Sequence, residues 1–199
     1  RERVAANEKM SQHKSASDVL EFLLSQGVSE ATDILVIDES LCTGCDNCEA
    51  ACAATHHGVA RLDREAGPSF ANVHLPTSCR HCEHPYCMVD CPPDAIKRSA
   101  NGEIYIEDSC IGCGNCEKNC PYNVIQMAAP RSRRPNVLAW LLFGQDRFED
   151  VSAKVPEKAV KCDMCIGIDG GPVCVRSCPT GAAARISPDR LINLSGAST

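Results

Sequence analysis

The chain has 199 residues, a formal net charge of −6, sixteen cysteines and only 4% aromatic residues. So few large apolar side chains are a poor stock for a conventional core of this length, so something besides side-chain burial must organise the fold. The acidic balance speaks against a nucleic-acid footprint, and no apolar run approaches the roughly 18–20 residues that span a bilayer; VLAWLLF at 137–143 is far too short. With neither a span nor a leader in view, a cytoplasmic location is expected, with periplasmic export alongside a partner as the alternative.

In chain order, SASDVLEFLLSQG at 15–27 reads as a short amphipathic helix. Ser15 and Asp18 have capping-box spacing, and Gly27 suits a C-terminal cap. Such a helix either packs on the chain's own surface or serves as a linker or docking element, and residues 1–32 are assigned that N-terminal role. DILVID at 33–38 follows as a strand. NVHLP at 72–76 reads as a second. AIKR and EIYI, at 95–98 and 103–106, form a hairpin around Asn101-Gly102. NVIQMA at 123–128 and GAAARI at 181–186 are closing strands. Residues 129–156 are an insertion. Its Arg131, Arg133 and Arg134 form a solvated loop or meet an acidic partner; Trp140, Leu141, Leu142 and Phe143 suit either a subunit interface or a cover over a site.

Between these elements the cysteines fall into four quartets with none left over. Cys42, Cys45, Cys48 and Cys52 have gaps of two, two and three, as do Cys110, Cys113, Cys116 and Cys120. Cys79, Cys82, Cys87 and Cys91 have gaps of two, four and three; Cys162, Cys165, Cys174 and Cys178 have two, eight and three. Proline follows Cys91, Cys120 and Cys178, whereas Ala53 follows Cys52. Repeated quartets are not a disulfide framework, and zinc uses pairs of CxxC knuckles where each second half here is CxxxC. The C-x2-C-x2-C-x3-C-P run is the bacterial ferredoxin pattern. Three cysteines wrap one face of a four-iron cube. The fourth lies about 6 Å further along if the turn between is helical, and ligates the other cluster of a pair. Four [4Fe–4S] clusters are therefore expected. His56, His57, His81 and His84 lie in or near the loops and are not needed as ligands. Lys161 is placed to put positive charge near a cluster.

The fold class expected is α+β and loop-rich: nested bacterial two-cluster ferredoxin-like units with short two-stranded sheets and short helices. The inner unit spans 72–128. The outer unit is split into 33–71 and 157–199. Exchange of fourth cysteines within each unit gives four ligand sets: Cys79, Cys82, Cys87 and Cys120; Cys110, Cys113, Cys116 and Cys91; Cys42, Cys45, Cys48 and Cys178; Cys162, Cys165, Cys174 and Cys52. The alternative, each quartet serving its own cluster, needs the fourth cysteine to bend back.

CRHCEHPYCMVDCPPDAI, CIGCGNCEKNCPYNVIQM and KCDMCIGIDGGPVCVRSCPTGAA, in this quartet order, resemble the four-cluster electron-transfer subunits of the dimethyl sulfoxide reductase, polysulfide reductase, formate dehydrogenase and [NiFe] hydrogenase type. The resemblance covers roughly residues 33–188. It implies an electron relay between a catalytic oxidoreductase subunit, of molybdenum, tungsten or hydrogenase type, and a second redox partner. The 41 residues between Cys120 and Cys162 look long for that family. No nucleophile–base pair or phosphate loop is visible, so the chain itself is expected to catalyse nothing beyond the relay. A free soluble polyferredoxin shuttle and a zinc-binding structural protein are the alternatives.

Overall fold

Regular elements are short throughout, because turns and cysteine loops interrupt every segment before it can propagate. The computed structural model describes residues 16–129 and 156–188. Among the described residues the cores are three small groups of buried side chains, and two of them are built partly from cysteines.

Helix α1 (Ala16–Ser25) ends where expected, with Gly27 in the left-handed region at φ 72° and its N–H on the Leu24 carbonyl at 2.9 Å. The helix is packed on the chain's own surface. Leu23 is buried with Val28, Ala31, Ile34, Val36 and Leu75, and the Phe22 ring stacks on Phe70 at 5.4 Å. Ser15, half of the expected capping pair, lies outside the described residues, as does most of the insertion with its arginines and Trp140.

Strand β1 (Ile34–Asp38) is the centre of the largest sheet. Its four apolar residues are all buried because both faces are covered. Ile34 and Val36 face the group beneath α1, while Leu35 and Ile37 face a second group with Cys48, Cys52, Leu62, Cys174 and Ala183. This is the two-residue alternation of a strand, used to separate two cores. On one side β1 pairs antiparallel with β10 (Ala183–Ile186), in the register Ile34↔Ile186 to Ile37↔Ala183. Residues 146 to 152 apart in sequence thus close one sheet.

On its other side β1 pairs with β4 (Val73–His74), which in turn pairs with β3 (Ser69–Phe70). NVHLP therefore extends this sheet rather than meeting NVIQMA. The physical reason lies in His74. It is buried, with Nδ1 2.8 Å from Ser69 Oγ and Nε2 2.7 Å from the Arg64 carbonyl, and these bonds fix it to the ribbon beside β1. A further ribbon joins β2 (Leu62–Asp63) to β5 (Thr77–Ser78). The expected hairpin forms as β6 (Ile96–Arg98) and β7 (Ile104–Ile106). NVIQMA supplies β8 (Gln126–Ala128), which pairs with β9 (Lys158–Val160) just before the last cysteine quartet.

Four short helices carry the cysteines: α2 (Asn47–Thr55), α3 (Tyr86–Val89), α4 (Asn115–Asn119) and α5 (Val173–Arg176). Helix α2 packs on α5, and α3 packs on α4. The first and last quartets are thus neighbours, and so are the middle two. The fold is α+β with short antiparallel sheets, and no described helix is long and apolar enough to cross a membrane.

Two outcomes follow. Ile96 is 1% exposed at the centre of the hairpin core. Ile96→Ala should cost about 2–5 kcal/mol, read as a lowered Tm. Gly112 has φ 73°, and a Cβ there would strike the carbonyl of Glu157. Gly112→Ala should cost about 1–3 kcal/mol, and protease susceptibility of the 110–116 loop should rise with it.

Candidate metal centres

Each helix presents the third cysteine of a quartet and sets the position of the fourth. In α2, Cys48 and Cys52 are four residues apart, both buried, and lie one above the other along the helix. They join different groups of thiols. Cys48 lines a small hollow with Cys42, Cys45 and Cys178, closed by Ile37, Arg64 and Ala183. Cys52 instead feels the charges of Cys162, Cys174 and Cys165. The same separation in sequence holds between Cys116 in α4 and Cys120, which caps its C-terminal end in extended conformation. Cys116 neighbours Cys110 and Cys113, whereas Cys120 lines a second hollow with Cys79, Cys82 and Cys87. Cys91 packs against a hydrophobic group that takes in Cys110 and Cys116 and also Cys79, Cys87 and Cys120.

The loops reach these positions through backbone that side chains rarely adopt. Gly114 at φ 77° and Asp46 at φ 56° stand immediately before α4 and α2 and turn the chain from loop into helix. In the fourth quartet Met164 and Cys165 themselves have φ near 59° and 57°, and the excursion behind them brings Cys174 back toward Cys162.

The sulfurs are surrounded by donors. The backbone N–H of Arg61 donates to Cys52 Sγ at 3.2 Å and that of Ala95 to Cys91 Sγ at 3.2 Å. His81 N–H donates to Cys79 Sγ at 3.4 Å. Lys161 Nζ reaches the same sulfur at 3.4 Å, and Arg185 donates to Cys162 Sγ at 3.0 Å. Sulfur sets this rich in N–H donors suit thiolates rather than thiols. Burial acts in the opposite direction. It pushes the Cys52 and Cys87 thiols up to about 12, and those of Cys82 and Cys174 to about 11. Cys178 differs. Its slight burial raises the pKa, but bonds from the Ala183 N–H, the Thr180 hydroxyl and its N–H outweigh it, and the thiol lies below its usual value. Buried thiols of this kind become thiolates when a cation pairs with them, which is the chemistry of a metal centre.

Two buried N–H-bearing nitrogens, His81 Nε2 and Arg185 Nε, have no partner among the described residues. The Ile104 N–H donates to His81 Nδ1 at 2.8 Å, so the ring proton is on Nε2. Burial, with Lys161 and Arg185 nearby, holds the His81 pKa down at about 2 and the ring neutral. Orphaned donors beside a set of thiols fit a bound group that itself offers acceptors, as the sulfides of an iron–sulfur cluster do.

Of the other histidines near the loops, His57 and His84 are exposed. His56 is buried, and its Nε2 lies 3.6 Å from Cys165 Sγ and 3.8 Å from Asp163 Oδ1. These three side chains have the spacing of a small cation site. Asp163 is already engaged by Arg61 at 2.5 Å, and Cys165 belongs to the thiol set around Cys174. Sequence reasoning did not single out Arg185. An arginine in the otherwise apolar GAAARI was the one available signal.

Models of a "4Fe-4S dicluster domain" match residues 70–133 and 109–182, which together take in the second, third and fourth quartets. Hydrogenase-4 component A of Escherichia coli K12 is 34% identical over 173 residues, covering 78% of this chain and 83% of that protein. Formate hydrogenlyase subunit 2 of the same organism is 34% identical over 160 residues, covering 74% and 78%. Its electron transport protein HydN is 31% identical over 170 residues, covering 81% and 91%. Similarity at this level across most of both chains, falling on loops whose thiols already converge, has one meaning: the chain belongs to the ferredoxin-type iron–sulfur electron-transfer proteins and carries [4Fe–4S] clusters.

Proposed function

We propose that the chain is the electron-transfer subunit of a metalloenzyme complex, holding four [4Fe–4S] clusters in a row between a catalytic subunit and a second redox partner. The observation that carries this reading is the grouping of thiols across quartets. Cys178 shares a hollow with Cys42, Cys45 and Cys48, and Cys120 shares one with Cys79, Cys82 and Cys87. Cys52 then completes the set of Cys162, Cys165 and Cys174, and Cys91 that of Cys110, Cys113 and Cys116. The pairing of β1 with β10, with the packing of α2 on α5 and α3 on α4, supports one unit, 72–128, nested inside another, 33–71 and 157–199, although β4, β5 and β8 of the inner span pair with β1, β2 and β9 of the outer one.

When bound, such clusters supply one-electron carriers. The chain's residues set their spacing and their access to solvent. Cys45 and Cys113 are exposed, and no member of the other two sets is, although the sets of Cys45 and Cys113 each also hold a buried cysteine, Cys48 and Cys116. The sets containing Cys45 and Cys113 are therefore the ends of the row, where partners come within reach. Exposed apolar residues stand beside both ends: Leu41 next to Cys42, and Ile111 and Val89, 64% and 77% exposed, next to Cys110 and near Cys91. Tyr86 and Ile166, next to Cys87 and Cys165, are less exposed than Ile111 and Val89. Bare aliphatic side chains at an exposed redox site suit a subunit interface.

The relatives' names, a hydrogenase component and a formate hydrogenlyase subunit, support a hydrogenase-type catalytic partner here. Nickel in the co-purifying large subunit is the expected finding. Molybdenum or tungsten would transfer the proposal to that enzyme class, and a chain that purifies alone and exchanges electrons with soluble partners would make it a free shuttle.

Roughly sixteen iron atoms and sixteen sulfides per chain are expected on chemical analysis. A zinc-loaded, colourless protein would sink the cluster reading. Cys178→Ser should abolish or convert the cluster held by Cys42, Cys45 and Cys48 and leave the Cys162 site intact. Spectroscopic loss at the Cys162 site instead would show that each quartet serves its own cluster.

A further inference from the structure

The two nested units meet between Cys79 and Cys162, and the residues that join them there are two buried cations. Lys161 is 2% exposed. An ammonium has three N–H donors, and all three are placed: on Cys79 Sγ at 3.4 Å, on the Cys162 carbonyl at 3.0 Å, and on the Ile104 carbonyl. Arg185, on β10, makes the reciprocal contacts. It donates to Cys162 Sγ at 3.0 Å and to the Cys79 carbonyl at 3.1 Å. Each cation therefore bonds the sulfur of one cysteine and the backbone of the other.

The charge balance at this junction is uneven. Asp33 meets Arg185 at 3.0 Å and offsets its charge, leaving the guanidinium end of that pair on Cys162 Sγ, but among the described residues Lys161 has no carboxylate partner and supplies the net positive charge. A buried cation left unpaired is costly, so the anionic partner of Lys161 has to be the thiolate-held group at Cys79. The outer sets differ. The donor on Cys91 Sγ is the neutral Ala95 N–H, and Thr180 Oγ1 lies 3.6 Å from Cys178 Sγ. Arg64, which lines the hollow at Cys42, is neutralised by Asp46 and Glu65.

We propose that Lys161 and Arg185 form a cationic bridge that raises the reduction potentials of the two interior clusters relative to the two at the ends. Reduction adds negative charge, and fixed positive charge at hydrogen-bond distance stabilises the reduced form. Both are positioning residues: they act on electron flow through the cysteines they touch. The bridge makes the junction of the units the place where an electron rests, and the exposed ends the places from which it leaves readily. This inference rests on the four-cluster reading above.

The test is a redox titration of the full cluster-loaded chain followed by electron paramagnetic resonance. Lys161→Met and Arg185→Gln remove charge; Lys161→Arg and Arg185→Lys keep it. In each neutral variant, transitions of the interior clusters should shift down by about tenfold in the reduced-to-oxidised ratio at fixed potential, about 59 mV for one electron. The end clusters should stay within twofold of the parent, and the charge-keeping variants should recover most of the shift. Parent-like potentials in neutral variants with full iron content would overturn the proposal. So would loss of iron from both neutral variants, since the cations would then serve assembly rather than potential. A parent chain without four-iron clusters would instead refute the cluster reading itself.

Discussion

Everything in this molecule depends on bringing buried sulfur atoms together and paying for their charge with metal. Cysteines form much of two of the three cores, packed with Leu35 and Ile37 in one and with Ile96 and Ile104 in the other. Without a cation, burial holds thiols such as Cys52 and Cys87 protonated, near 12, far above neutral pH. With a cation bound they are thiolates, and binding free energy becomes folding free energy. This coupling explains how a chain with so few aromatic residues sustains a tertiary structure. It also makes the proposed ligands and the core one set of residues rather than two.

The short helices turn this packing problem into an electrical arrangement. A separation of four residues places Cys48 and Cys52 on one face of α2, about 6 Å apart along the axis, so one helix serves two neighbouring thiol sets. Helix α4 does the same with Cys116 and the Cys120 that ends it. The junction between the units has no such helix, and there Lys161 and Arg185 span the gap. On the proposed reading, neighbouring sites within each unit share a short helix, which fixes the distance an electron crosses there. Solvent reaches the row at Cys45 and Cys113, where partners would dock.

The cysteine spacing and the closing of DILVID on GAAARI were legible in the sequence, because both are set by residue types with narrow structural meaning. Strongly alternating pieces such as AIKR and EIYI announced their hairpin, and Asn101-Gly102 its turn. NVHLP announced the strand β4, but β2, β3 and β5 were not legible, since so short a stretch has no period. The place of Val73–His74 beside β1 depends on the bonds of His74 to Ser69 and to the Arg64 carbonyl, partners that only tertiary structure identifies. The same holds for β8 with β9, whose strands are separated by a long insertion. Lys161 drew notice by standing next to Cys162. Arg185 and His81 acquire their meaning only through contacts more than twenty residues distant.

The central claim is that ligands are exchanged between quartets, so that each cluster ties together two separate loops. Diffraction at the iron absorption edge, on crystals of the loaded chain grown without oxygen, would test it most directly. The account predicts four compact iron sites, each bonded by three cysteines of one quartet and the fourth cysteine of another, with Cys178 on the site of Cys42 and Cys120 on that of Cys79. Iron sites each enclosed by a single quartet, or fewer than four of them, would contradict it.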